Sequence, residues 1–185
     1  MNDAVTAYIG LGSNLGDRLG AMRAALRALE AAGDPVVDGE SGIASLYETS
    51  PVGGPPGQST YLNSAVRVIT RLAPSDLLQK LLAIETALGR ARGWRWDRRV
   101  IDLDLLLYGG LAQDTAELTL PHPRLHERRF VLEPLSEIAA EAVHPRLGRT
   151  IRELAAELRE GASDESVVRV AGPGWRLEQE SVGVR

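Results

Sequence analysis

The chain has no cysteine. That removes disulfide frameworks, thiolate metal sites and cysteine nucleophiles together, and it fits a reducing compartment. Only one lysine is present, Lys80, inside a segment with helical patterning. A phosphate-cradling P-loop needs its lysine at the end of a glycine loop, so that motif is excluded. No apolar run approaches the roughly 18 residues that span a bilayer, and Met1 to Ala7 lacks the basic and apolar regions of a signal peptide. The expectation is a cytoplasmic protein. A basic excess is also missing: the net charge is −4 and the isoelectric point near 5.5. Any anion site must therefore be local.

The chain is of a length to build one domain around a sizeable core, with 185 residues, 44% of them hydrophobic and 25% charged. Val5 to Leu11 reads as a first strand that runs into a glycine-rich turn, Gly10 to Gly16. A helix follows over Asp17 to Ala32, where Leu19, Met22, Leu26 and Leu29 share one face, and Gly33 suits its end. Ile43 to Thr49 and Tyr61 to Leu72 read as strands separated by a Pro/Gly-rich loop, Ser50 to Ser59. A second helix begins at Pro74, a residue suited to a first helical position, and carries Leu77, Leu81, Ile84 and Leu88 on one side. Val100 to Tyr108 is the strongest strand. Short helices are expected around Leu125 to Phe130 and Pro134 to Ala140, an amphipathic helix over Ile151 to Arg159, and a hairpin over Ser166 to Leu177. Elements of both kinds mix without regular βαβ alternation, which points to an α+β layered fold. The expected organisation is a domain over 1–160 and an extension over 161–185 packed on it.

Asp102-Leu103-Asp104 is the sharpest chemical feature. Side chains alternate along a strand, so Ile101, Leu103, Leu105 and Leu107 should face one way and the two aspartates the other. Same-face neighbours lie about 6.6 Å apart at roughly 3.3 Å per residue, a spacing from which two carboxylates can share one cation or flank two. Oxygen donors alone favour Mg²⁺. Two harmless acids on a solvated strand would look the same in isolation, but this strand reads as central. Just upstream, Arg90, Arg92, Arg95, Arg98 and Arg99 are interleaved with Trp94 and Trp96. Guanidinium forks match phosphate oxygens, and indoles stack on bases. Cations beside metal-binding acids suit a polyphosphate clamp for phosphoryl transfer.

Gly10-Leu11-Gly12-Ser13-Asn14-Leu15-Gly16 follows a strand and opens a helix, yet G-x-G-x-x-G would need glycine where Leu15 stands. The segment can instead offer bare backbone to a flat ligand. His122 and His126 in Pro121-His122-Pro123-Arg124-Leu125-His126-Glu127-Arg128 lack a nearby third zinc ligand. Phosphate contacts from His122 and Arg128 fit better.

These motifs, in order, resemble the 6-hydroxymethyl-7,8-dihydropterin pyrophosphokinase family. The resemblance runs over roughly residues 5–145. It is carried by Tyr8 to Gly16; Tyr47-Glu48-Thr49 with Pro51-Val52-Gly53; Tyr61-Leu62-Asn63; Ile84-Glu85 with Gly89-Arg90; Arg99 with Asp102-Leu103-Asp104; and Pro121 to Leu125. Six motifs in register are specific where none is alone. The resemblance implies a ferredoxin-like fold, a monomer, and transfer of the β,γ-diphosphate of ATP to the pterin hydroxymethyl oxygen with release of AMP. It implies two Mg²⁺ ions on Asp102 and Asp104, and Arg90 and Arg99 on the transferring group. ATP contacts would come from Glu85, Arg92, Trp96, Arg99, Thr119, His122 and Arg128. The pterin would meet Thr49, Val52, Tyr61, Asn63, Trp96 and Phe130. The family's common Trp-Gly-Pro-Arg is replaced here by Trp96-Asp97-Arg98-Arg99.

Two other classes share parts of the pattern. A ferredoxin-like nucleic-acid module would need aromatics alternating on an exposed sheet, where the predicted strands show scattered tyrosines. Another Mg-dependent nucleotidyltransferase or hydrolase would use the acids and arginines but leaves the set around Asn63 and Pro121 without a role.

Overall fold

Alternation at Ala7, Ile9 and Leu11, all buried, makes Val5–Ser13 (β1) a strand with one face in a core. In the computed structural model, which describes residues 3–51, 59–89, 100–161 and 166–177, the strand continues through Gly10 and Gly12 rather than turning there. Pairing on both sides holds those glycines extended; the positive φ falls at Gly16, where the chain does turn. Arg18–Ala31 (α1) follows, capped by Asp17, whose Oδ1 accepts the Gly20 N–H at 2.9 Å. Its stripe Met22, Leu26 and Leu29 is buried as the spacing predicts, and Gly33 beyond it has φ +73°.

Val36–Val37 (β2) and a 3₁₀ turn at Glu40–Gly42 lead into Leu46–Thr49 (β3) and Tyr61–Thr70 (β4). Pro74–Ala87 (α2) starts on its proline and buries Leu77 and Leu81. Asp102–Tyr108 (β5) comes next, then a small ribbon of Gln113–Asp114 (β6) and Thr119–Leu120 (β7). All neighbours in the main sheet are antiparallel, in the order β3, β4, β1, β5, with β2 also on β4. A β1-α1-β3-β4-α2-β5 path in that order is the ferredoxin-like arrangement expected from the motifs.

Two cores sit on opposite faces of this sheet. Ile9, Leu11, Val66, Leu103 and Leu105 meet α1 and α2. On the other face Ala65, Leu106 and Leu107 meet Arg129–Ala139 (α3) and Ile151–Glu160 (α4). Leu107 was expected beside Leu105. A bulge between Tyr8 and Ile9 of β1 and the facing residues of β5 turns Leu106 and Leu107 to the same side, so the alternation breaks there.

Two further expectations change. Residues from Leu125 onward form a 3₁₀ turn, Leu125–Glu127, and then one helix with Pro134 inside it. The proline removes one helical hydrogen bond, a cost of ~3 kcal/mol. Burial of Leu132, Leu135 and Ile138 offsets that, at about 1.5–3 kcal/mol for each large side chain. Between the two helices Val143–His144 (β8) and Arg149–Thr150 (β9) form a hairpin, and Thr150 with Glu153 makes a reciprocal cap on α4. Glu133 then ties α3 to α4, receiving Arg129 at 3.1 Å and Arg159 at 2.6 Å.

The C-terminal segment is not a hairpin. Val167–Ala171 (β10) pairs along β3, and Pro173–Arg176 coils into a 3₁₀ turn. Pro173 lacks the N–H a returning strand would use, and Trp175 gains more by entering the first core, where it is 5% exposed. No helix among the described residues is long and apolar enough to cross a membrane.

Candidate active site

The register across four strands assembles the site. Tyr47 of β3 stands opposite Asn63 of β4, Asn63 opposite Gly12 of β1, and Gly12 opposite Asp102 of β5. One step further along, Gly10 is opposite Asp104 and Ala65. The α3–α4 side of the sheet therefore carries two aspartates at one edge and an amide near the other, with two glycines between them. A Cβ on Gly12 would stand 3.1 Å from the Asn63 Oδ1, so the missing side chain leaves room on the amide's own face.

Asn63 and Thr49 are buried, at 6% and 3% exposure. Asn63 Nδ2 donates to Thr49 Oγ1 at 2.7 Å. This bond orients the amide and assigns its Oδ1 the acceptor role toward a ligand N–H. Tyr61, opposite Thr49, lies on the same face two residues along β4 from Asn63. The neighbouring Tyr47 is held from behind, its hydroxyl donating to Glu137 Oε1 at 2.6 Å while the Ser45 N–H donates to Glu137 Oε2 at 2.7 Å. Burial and that carboxylate both keep the Tyr47 phenol protonated.

β5 closes the other end of the sheet path, and its outer edge is satisfied by groups that help build the site. The Leu103 N–H, between the two aspartates, donates to Glu85 Oε1 at 2.7 Å. Glu85 comes from α2 and is 1% exposed. The His122 N–H donates to the Leu106 carbonyl at 2.9 Å, which lays the segment after β7 along the strand. Ser13 Oγ donates to the Val100 carbonyl at 2.6 Å and fixes the approach to β5.

The electrostatics follow from this packing. Burial first, and then the Arg128 guanidinium, push His122 down to about 4, with the Asp102 charge opposing. Arg128 in turn feels Arg124, Asp104 and Asp102, and its guanidinium lies 5.6 Å from the Phe130 ring centroid. The site thus sets a neutral imidazole and guanidinium groups against two carboxylates. That combination suits a metal-bound polyanion.

Among the described residues no group of three or more His, Cys, Asp or Glu gathers around one point. Two carboxylates are nevertheless the protein share that Mg²⁺ takes when substrate phosphates and water supply the rest. The donor set fits that ion.

The structure brings Asp102, Asp104, His122, Arg128 and Phe130 near one another, and Thr49, Tyr61 and Asn63 lie on one face of β3 and β4. Thr119 lies on β7, three residues before His122. Glu85 is placed beneath the strand. Val52, Arg90, Arg92, Trp96 and Arg99 fall outside the described residues. Sequence reasoning passed over Glu137, an ordinary glutamate in a helical segment. It also assigned Gly12 to a turn, although alternation continuing from Ile9 and Leu11 carries the strand through it.

Comparison with known proteins shows the family. The model of the family described as 7,8-dihydro-6-hydroxymethylpterin-pyrophosphokinase matches residues 8–140. The 2-amino-4-hydroxy-6-hydroxymethyldihydropteridine pyrophosphokinase of Synechocystis is 39% identical over 171 residues, covering 92% of this chain and 83% of its own. The protein of the same name from Bacillus subtilis is 44% identical over 135 residues, 73% of this chain and 78% of its own. Among solved structures, the wild-type HPPK-DHPS of Plasmodium falciparum with SDX-DHP superposes with a TM-score of 0.65 at 16% identity, over 85% of this chain and 45% of that one. At that identity the likeness concerns the fold.

Proposed function

The chain belongs to the 7,8-dihydro-6-hydroxymethylpterin-pyrophosphokinase family, and from that premise we propose that Asp102 and Asp104 hold Mg-ATP while Thr49, Tyr61, Asn63 and Phe130 hold the pterin. The protein is an ATP-dependent diphosphotransferase of folate biosynthesis. It moves the β,γ-diphosphate of ATP to the hydroxymethyl oxygen of 6-hydroxymethyl-7,8-dihydropterin and releases AMP. The observation that carries the residue assignment is the row Asn63, Gly12, Asp102. It sets the amide reader and the acid two strand spacings apart, about 10 Å, across bare backbone.

In this reading the hydroxymethyl oxygen attacks the β-phosphorus as the bond from that phosphorus to the AMP oxygen breaks, and the hydroxyl proton passes to water. Magnesium, when bound, neutralises charge on the polyphosphate. Asp102 and Asp104 fix where that charge is met. His122, neutral, donates a hydrogen bond rather than a charge, and Arg128 supplies a guanidinium to a phosphate oxygen. Asn63 Oδ1 accepts from the pterin amide edge while Phe130 offers a ring face. Arg90 and Arg99 act on the transferring group, Arg92, Trp96 and Thr119 on ATP, and Val52 and Trp96 on the pterin, by family resemblance. Little of the catalysis needs a protein nucleophile; positioning and charge suffice. The same reading takes the protein as a cytoplasmic monomer using two Mg²⁺ ions. A nucleic-acid module is not favoured, because the matching family model and the curated relatives are pyrophosphokinases.

Incubation with Mg-ATP and the hydroxymethyl-dihydropterin should yield AMP and the pterin diphosphate. ADP as the nucleotide product, or AMP formed equally fast without pterin, would overturn the assignment.

A further inference from the structure

We propose that the C-terminal segment, Ser166–Leu177, is a strap that positions β3 for pterin recognition. The proposal rests on the reading that Thr49 and Asn63 contact the pterin. The family match ends at residue 140, so the strap lies beyond it.

β3 has four residues, and three of them pair with β4. Without a neighbour on its other side it would be a short edge strand, the least well-ordered position in a sheet. β10 supplies that neighbour along the whole length: Val167 opposite Thr49, Val168 opposite Glu48, Arg169 opposite Tyr47 and Ala171 opposite Leu46. Val167 therefore flanks Thr49 on the ligand side, and Arg169 reaches within 3.8 Å of Glu137, which holds Tyr47.

Both ends of β3 are gripped by the same segment. At the end nearest the ligand, the Ser50 N–H donates to the Ser166 carbonyl and the Ser166 N–H donates to Ser50 Oγ, each at 3.0 Å. Ser50 is the residue after Thr49. At the other end, Trp175 Nε1 donates to the Ala44 carbonyl at 2.9 Å from inside the core. Arg23 of α1 holds Trp175 in place through its carbonyl at 2.8 Å. The bond from Asn63 Nδ2 to Thr49 Oγ1 depends on where β3 sits relative to β4. The strap sets that position without touching the ligand through its own polar groups.

The test separates positioning from general stability. Val168→Pro removes one N–H from β10 at a side chain that is 55% exposed, leaving the Trp175 anchor in place. Ser50→Ala removes only the acceptor of the Ser166 N–H. Binding is measured by calorimetry, with the pterin titrated in the presence of Mg²⁺ and a non-hydrolysable ATP analogue, and the analogue titrated alone.

The expected result is a pterin Kd raised about 5- to 10-fold by Val168→Pro and about 2- to 5-fold by Ser50→Ala, the scale of one lost or loosened hydrogen bond. Analogue affinity should stay within about twofold in both. Equal weakening of both ligands, or an unchanged pterin Kd in folded Val168→Pro, would overturn the strap; if that variant does not fold, Ser50→Ala decides alone. Asn63→Ala serves as the reference. If it too leaves the pterin Kd unchanged, the assigned pterin site fails and the strap with it. If it weakens pterin while the strap variants do not, only the strap falls.

Discussion

Glu85 accepts the backbone N–H of Leu103 at 2.7 Å from beneath the strand that bears both aspartates. The carboxylate is 1% exposed, and the N–H it satisfies lies on the outer edge of β5. Resemblance implies that Glu85 contacts ATP; the geometry also makes it a support for the strand that bears Asp102 and Asp104. Glu85→Leu leaves a buried N–H without this acceptor, at a cost of about 1–3 kcal/mol in unfolding free energy. Glu85→Gln keeps an oxygen acceptor and should lose less. Denaturant unfolding of both variants checks this, and equal midpoints for wild type and Glu85→Leu would refute it.

Asp102 and Asp104 face the open, glycine-floored end of the sheet rather than a core. Their replacement should therefore spare the fold. Asp104→Ala is expected to reduce diphosphoryl transfer by at least ~100-fold, the scale for removing one electrostatic element of such a site, while shifting the melting temperature little. Turnover near wild type would remove the metal role from this residue.

How far the sequence speaks depends on whether a signal is local. The βαββαβ frame was legible because alternation in β1 and β5, the Met22-Leu26-Leu29 stripe and Pro74 are each read within a few residues. The Asp-x-Asp pair was legible for the same reason. The bulge that redirects Leu107 was not, since it arises from pairing with Tyr8, a hundred residues away. The support of Leu103 by Glu85 and of Tyr47 by Glu137 also joins distant segments. Pro134 misled because propensity argues for a helix start there, and tertiary burial of its neighbours overrides it. The C-terminal hairpin misled because Gly172-Pro173-Gly174 reads as a turn, whereas the partner strand was β3.

Gly10 and Gly12 are both strand residues facing the site, yet they should respond differently to alanine. At Gly12 a Cβ would stand 3.1 Å from Asn63 Oδ1, a contact that must displace the amide. At Gly10 it would meet Leu106 at 3.4 Å, an ordinary packing distance. Gly12→Ala is expected to raise the pterin KM on the order of tenfold, the equivalent of about 1.4 kcal/mol, with the KM for ATP held. Gly10→Ala should leave the pterin KM within about twofold. Steady-state kinetics with each substrate varied in turn distinguishes the two, and an unaltered pterin KM in Gly12→Ala would show that the floor is not the contact surface.

His122 offers the clearest pH signature. Its imidazole is held at about 4, below the ordinary value of 6.5, chiefly by burial and then by Arg128. Between those two values the unfolded chain takes up a proton that the folded chain refuses, so stability rises with pH across the window. The His122 contribution is fully present above about 6.5, declines as the pH falls, and is constant again below about 4. His144 is shifted in the same direction, by burial and by His126, so a variant is needed to isolate the effect. His122→Gln should flatten the acid slope of unfolding free energy while leaving the His144 part. Mg-ATP should move the His122 titration upward, because phosphate oxygens favour the protonated imidazole that Arg128 disfavours. Ring-proton NMR of the free protein and of its Mg-ATP complex reads both values. A free-protein titration near 6.5, or one that nucleotide does not move, would take His122 out of the phosphate site.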